Sequence, residues 1–185
     1  MSATISIDIT EVYALSALRS YLLSLMPAGT EIVKGNINCV PSPVSQTYIV
    51  MQPLFRTALD LTVDSYQDNV TTGFAYSQRS TQLTVQCDFH GATAGDLAQI
   101  FTTLFRDQSA CAFFSSVLIN GVNMICQPLY TSEPRMIPFI NDQNQWEYRY
   151  SVDAELQINP TVTQTQQFAA SLNITVIEVD ATYKP

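Results

Sequence analysis

The chain has 185 residues, and sixteen acidic side chains against eight basic ones leave a net charge of −8 and an isoelectric point near 4.3. Apolar residues reach 46%, enough for a sizeable core in one domain over 1–185, but charged residues reach only 13% where an ordinary soluble domain has about 25%. Two Lys and six Arg, scattered singly, are too few to displace the counterions of a tightly held nucleic acid, and 19 Thr, 16 Ser, 15 Gln and 9 Asn must cover much of the surface instead. The densest apolar run, 110–114, is five long against the roughly 18 of a membrane-spanning helix, and the N-terminus lacks the basic and apolar regions of a secretory signal. The expectation is a soluble cytoplasmic protein with no membrane contact.

Val12, Leu15, Leu18, Leu22, Leu23 and Met26 recur at spacings of three and four, the period of a helix with one apolar stripe. Thr10, or Asp8 with Glu11, can open it, and Pro27 and Gly29 close it. The stripe is wide, which suits packing on a sheet. A short strand at 31–34 follows, then a loop at 36–46 with Pro41 and Pro43. Residues 48–61 are rich in β-branched and aromatic side chains, but Pro53 interrupts them, which predicts two strands or one edge strand with a bulge. A polar excursion at about 62–80 is too long for a tight turn. Leu83, Val85, Cys87 and Phe89 then alternate with Thr84, Gln86, Asp88 and His90, the period of a strand with one buried face.

Gly91 ends that strand. Leu97, Ile100, Phe101, Leu104 and Phe105 predict a second helix, with a further short one at 109–115. Residues 117–119 and 122–130 read as a hairpin about Asn120-Gly121, the favoured type I′ pair. A second loop, at about 132–145, carries Pro134 and Pro138 with apolar Met136, Ile137, Phe139 and Ile140 between its polar flanks. From Trp146 to Ile158 apolar and polar residues alternate over thirteen positions. Strands commonly run about five or six residues, so this one is expected to project beyond the core or to pair with another subunit. The segment at about 160–185 reads as a short helix near 166–172 and a strand at 173–180.

Candidate chemistry is sparse. Cys39, Cys87, Cys111 and Cys126 have no close pair and only one histidine for company, so they read as reduced, buried small hydrophobes rather than metal ligands. His90 shares a strand face with Asp88, as a base with an orienting carboxylate would. No nucleophile context accompanies it, and it reads as an exposed strand histidine. Asp60, Asp64 and Asp68 recur every fourth position without the alternate ligands and turn glycine of a calcium loop, and read as solvated loop carboxylates. The six glycines form no phosphate loop. No catalytic, cofactor-binding or metal-ligating residue is expected, and the chain is not expected to be an enzyme.

What remains are the two excursions, each polar at its flanks with large apolar side chains inside: Tyr66, Phe74 and Tyr76 in the first, Met136, Phe139 and Ile140 in the second. Interface cores favour aromatics, Met and Arg and are depleted in Lys, so these six, with Arg79 and Arg135, are the candidate subunit-interface residues.

The helix phrase Ala17-Leu-Arg-Ser-Tyr-Leu-Leu-Ser-Leu-Met-Pro-Ala-Gly-Thr-Glu-Ile-Val-Lys-Gly-Asn-Ile-Asn is followed by Tyr48-Ile-Val-Met-Gln-Pro-Leu-Phe-Arg. Leu83-Thr-Val-Gln-Cys-Asp-Phe-His-Gly and Ala94-Gly-Asp-Leu-Ala-Gln-Ile-Phe-Thr-Thr-Leu-Phe-Arg-Asp come later, and Ile177-Glu-Val-Asp-Ala-Thr-Tyr ends the series. Together, from about residue 14 to 183, these resemble the neck and tail-terminator proteins of contractile-tailed bacteriophages. The resemblance implies a sheet with helices on one side, assembled as a ring expected to be hexameric, that halts growth of tail tube and sheath and docks the head completion and connector proteins. It implies a virion protein, assembled in the host cytoplasm, through which the genome passes without specific binding. It carries no catalytic residues and no cofactor. The fold expected is α+β: a mixed, mainly antiparallel β-sheet with two principal helices on one face and long loops projecting from it. Competing readings are another virion subunit of the head-completion, tube or baseplate kind, a small hydrolase centred on His90, and an all-β adhesin, against which the two amphipathic helices argue.

Overall fold

The computed structural model describes residues 4–36, 43–68, 73–140 and 144–166. In chain order its elements are β1 (Ile5–Ile7), α1 (Glu11–Leu25), β2 (Glu31–Lys34), β3 (Tyr48–Ala58), β4 (Val63–Gln67), β5 (Gly73–Gln78) and β6 (Thr81–His90). There follow α2 (Ala94–Phe105), α3 (Gln108–Ser116), β7 (Gln127–Thr131), β8 (Arg135–Met136), β9 (Phe139–Ile140), β10 (Trp146–Glu147), β11 (Arg149–Ile158) and β12 (Thr161–Gln166). Cys39, Pro41 and the two segments expected at 166–172 and 173–180 lie outside the described residues, save Gln166.

Helix α1 buries Ala14, Leu15, Ala17, Leu18, Tyr21 and Leu22. Val12 and Leu23, counted into the stripe from their spacing, are instead exposed. At about 100° per residue those two fall together on the side opposite Leu18, so small Ala14 and Ala17 rather than large Val12 complete the packed face. Thr10 stands at the N-cap without a side-chain cap bond. The Asp8 carboxylate accepts instead from the amides of Ile9 (2.6 Å) and Thr161 (2.7 Å), tying the helix entry to the start of β12.

The main sheet has the order β2-β3-β6-β11-β7, with β8 beside β7 on the same flank of β11. Among the described strands only β2 and β3 run parallel, and the architecture is α+β. Alternate residues of β6 and β11, Leu83 to Phe89 and Val152 to Ile158, join Ile49 and Met51 of β3 in one core with Leu18 and Leu22 of α1, Phe101 and Phe105 of α2 and Phe114 of α3. Tyr21 lies at its centre, 5.1 to 6.1 Å from the rings of Phe105, Phe113 and Phe114. Its hydroxyl donates to the Leu104 carbonyl at 3.0 Å, so the one polar atom of this aromatic cluster is satisfied.

One expectation is narrowed and two change. The segment around Pro53 is a single strand rather than two, with a register shift between Pro53 and Phe55; β2 flanks it only from Tyr48 to Met51, so Pro53 itself stands at a locally open edge. Proline fits because β2 stops pairing at Met51, so no partner there needs the missing N–H. The hairpin about Asn120-Gly121 forms its turn, with φ of 50° and 82°, but closes only the Ile119–Val122 bridge. Ile125 and Cys126 are buried in the core immediately afterwards, and that burial wins over further local pairing. Finally, the thirteen-residue alternation is broken at Tyr148. Its first two residues form β10, paired with β9, and its last ten form β11.

Candidate assembly surfaces

Neither excursion is a loop. The first continues the central strands of the sheet into a four-stranded arm of order β1-β12-β5-β4. Chain direction carries β3 into β4, β5 into β6 and β11 into β12. The joint is held by Asp60, whose carboxylate accepts from the Ser80 amide at 2.9 Å, and by Arg79, whose Nε donates to the Asp60 carbonyl at 3.3 Å and whose amide donates to the Pro160 carbonyl at 3.4 Å. Asp60 is therefore a structural acceptor and not merely a solvated loop carboxylate.

Register assigns the arm two faces. Tyr66 is paired with Ala75, Ala75 with Gln164 and Gln164 with Ile5, while Asp64, Ser77, Val162 and Ile7 form the next row. Ile5 (68% exposed), Tyr66 (63%), Ile7 and Val162 thus share one side. Phe74 and Tyr76 lie on the other, half-buried, with ring centroids 6.3 Å apart and the Tyr76 hydroxyl donating to Gln67 Oε1 at 2.9 Å. The four arm strands hold one charged residue, Asp64, and it accepts from Ser77 Oγ at 2.7 Å.

The second excursion folds into β8 and the small hairpin β9–β10 at the other end of the sheet. Arg135 donates from Nη2 to Asp153 Oδ2 at 2.7 Å, and the amide of Ile137 donates to the Arg149 carbonyl at 2.9 Å. Met136 (52%), Ile140 (50%), Trp146 (74%) and Tyr148 (57%) are exposed there. Phe139 pairs with Glu147 in the backbone register.

Beneath this hairpin the sheet face turned away from the helices is polar yet closed. His90, expected to be exposed, is 5% accessible: its ring stacks on Tyr48 at 4.4 Å and 8°, with Glu147 Oε1 3.8 Å from Nδ1. Burial pushes its pKa down to about 4; Asp88 opposes that shift and Arg149 adds to it. Asp88 accepts from Arg149 Nη2 at 2.6 Å and, through both oxygens, from Gln86 Nε2 at 2.9 and 3.0 Å. Glu155 accepts from Thr84 Oγ1 at 2.6 Å and Gln82 Nε2 at 2.8 Å. Asp88 and Glu155 are thus each committed to neighbouring donors, an arrangement that stabilises the sheet face. Cys87 and Cys126 are buried, with thiol pKa values raised by that burial, while Cys111 is exposed, contrary to expectation. It occupies the outer side of α3, whose buried residues are Ala110 and Phe114.

The described residues offer exposed apolar surfaces at the arm and at the hairpin end. The family model of phage neck terminator proteins matches residues 15–182. The chain belongs to that family. No curated protein matches the chain. A neck terminator is a structural component of the virion, and the family agrees with the absence of catalytic residues from the expectations above. No helix among the described residues is long and apolar enough to cross a membrane.

Of the eight residues singled out from the sequence, Tyr66, Phe74, Tyr76 and Arg79 belong to the arm and Arg135, Met136, Phe139 and Ile140 to the hairpin end, so the two sets are not brought together within one chain. Ile5, Ile7, Val162, Trp146 and Tyr148 are further exposed apolar side chains beside them. Trp146 and Tyr148 share the parity of Tyr150 and Val152 but lie at the end of the alternation expected to project beyond the core, and both are exposed. The unusual length of that alternation was the available signal. Three residues of β1 are too few for any periodicity to register.

Proposed function

We propose that this chain forms a homo-oligomeric ring of six copies at the neck of a contractile phage tail. There it ends growth of the tail tube and sheath and joins the tail to the head completion and connector proteins. The observation that carries this reading is a neck terminator chain with exposed apolar surfaces at opposite ends of one sheet, since a ring needs two different patches that meet between neighbours. The candidate interface residues Tyr66, Phe74, Tyr76, Arg79, Arg135, Met136, Phe139 and Ile140 fall at those two ends.

The charge balance supports passage of the genome. Six copies of a −8 chain carry 6 × −8 = −48 formal charges, and a lumen of acidic and neutral side chains does not hold phosphate as a basic one would. A ring lined by a continuous belt of Arg or Lys contradicts this. The ring itself is tested by substituting Tyr66→Asp or Phe139→Asp. Assembly is lost while the protomer stays soluble, as read by light scattering on a sizing column; unchanged ring formation by both variants refutes the assignment.

A further inference from the structure

Resting on that reading, we propose how neighbours meet: the apolar side of the arm, around Ile5, Ile7 and Val162, receives the Trp146 hairpin end of a second copy of this chain.

The two surfaces belong to opposite ends of the same strands. The arm leaves the sheet beyond Thr81 and Ile158, whereas the hairpin sits beyond His90 and Arg149. Ten residues of paired strand lie between, which at about 3.3 Å per residue is roughly 30 Å. One copy cannot close this contact on itself. A contact between unlike ends also propagates from copy to copy, whereas an arm-to-arm contact closes as a dimer.

Area supports a second copy as the occupant. Trp146 and Tyr148 are 74% and 57% exposed; with 150–250 Å² to bury per aromatic side chain, they alone present roughly 250 Å². Met136 and Ile140 enlarge that patch to a few hundred Å², the size of the largest apolar patch on a monomer's surface, which is often functional. The arm adds Ile5, Ile7 and Val162, 68%, 45% and 37% exposed. At each contact one partner contributes the hairpin patch and the other the arm patch, each a part of the roughly 800 Å² per partner of a stable interface.

The chemistry of the arm points the same way. Exposed edge strands are ordinarily guarded by charge, Lys above all. Across β1, β4, β5 and β12 there is no Lys or Arg, and the single charge, Asp64, already accepts from Ser77. Covering this sheet desolvates little charge. The projecting indole on the other side is the side chain most enriched at interface hot spots, and the aliphatic arm patch suits it.

The test is a mixing experiment. Ile5→Asp with Val162→Asp spoils the arm and spares the hairpin; Trp146→Asp does the reverse, with Tyr148→Asp as a second hairpin variant should the first fold poorly by circular dichroism. At concentrations where wild type is oligomeric, each variant alone should be monomeric by light scattering. Their mixture should give a 1:1 dimer and nothing larger, because one intact arm meets one intact hairpin end. Rings formed by either variant alone overturn the contact and leave the ring reading standing. A mixture that stays monomeric also overturns it, and points to residues 167–185 or a different tail protein as the occupant of the arm. Wild type that remains monomeric at every concentration and on tail tubes overturns both.

Discussion

Replacing His90 by Phe should flatten the acid limb of this protein's stability curve. The imidazole is 5% exposed, stacked on Tyr48, and flanked by Asp88, Glu147 and Arg149. Its pKa falls from 6.5 to about 4 because burial disfavours the charged ring. In the unfolded chain His90 takes a proton as the pH drops through about 6.5; in the folded chain it refuses one until about pH 4. Between those values unfolding binds a proton, so stability falls with decreasing pH. The full difference is about 3 kcal/mol at pH 4 and about 2 kcal/mol at pH 5. Phe preserves the ring stack and cannot titrate, while the carboxylates that also protonate in acid are common to both proteins. Urea unfolding at pH 7 and pH 5 should show wild type losing about 2 kcal/mol more than His90→Phe. Parallel losses would show that His90 protonates in the folded chain as it does in water, and would refute the argument from burial.

Thr84→Val removes the 2.6 Å donor to Glu155, leaving a carboxylate 8% exposed with Gln82 as its remaining named donor; a loss of about 1–3 kcal/mol is expected in denaturant melts. Phe105→Ala empties a fully buried site against Tyr21, Phe101 and Phe114 and should cost about 3–5 kcal/mol by the same measurement. Gly91→Ala sets a Cβ 2.5 Å from the Gln46 carbonyl at φ +112°. Strain there of about 1–3 kcal/mol from the backbone alone should appear as a lower melting temperature, where an exposed glycine such as Gly121, with open space around its Cβ position, should tolerate alanine better.

The body of the fold was readable because its elements have clean periods: β6 alternates through the eight residues from Leu83 to His90, and α2 keeps its apolar spacing over three turns. Legibility fails where burial depends on what lies across from a residue. His90 shows the polar parity of an exposed face, yet the hairpin end and the Tyr48 ring close over it. Asn120-Gly121 forms the turn its chemistry dictates, but Ile125 and Cys126 are worth more in the core than a longer ladder. The arm was hidden for a related reason. Its strands have Thr, Gln and Ser on both sides and few apolar anchors, so no two-residue period stands out, and its order comes from register with β5 and β12 rather than from a core of its own. The proposed contact residues are half legible: large apolar side chains in polar surroundings are conspicuous, and the length of the alternation marks the Trp146 end as projecting, whereas β1 is too short to carry a period.

Imaging tail tubes mixed with the purified protein by negative-stain electron microscopy tests the central claim most directly. A terminator should appear as a ring of density on one end of each tube and on no other part of it, with no further growth at the capped end. Binding along the tube wall, on both ends alike, or nowhere would contradict the account.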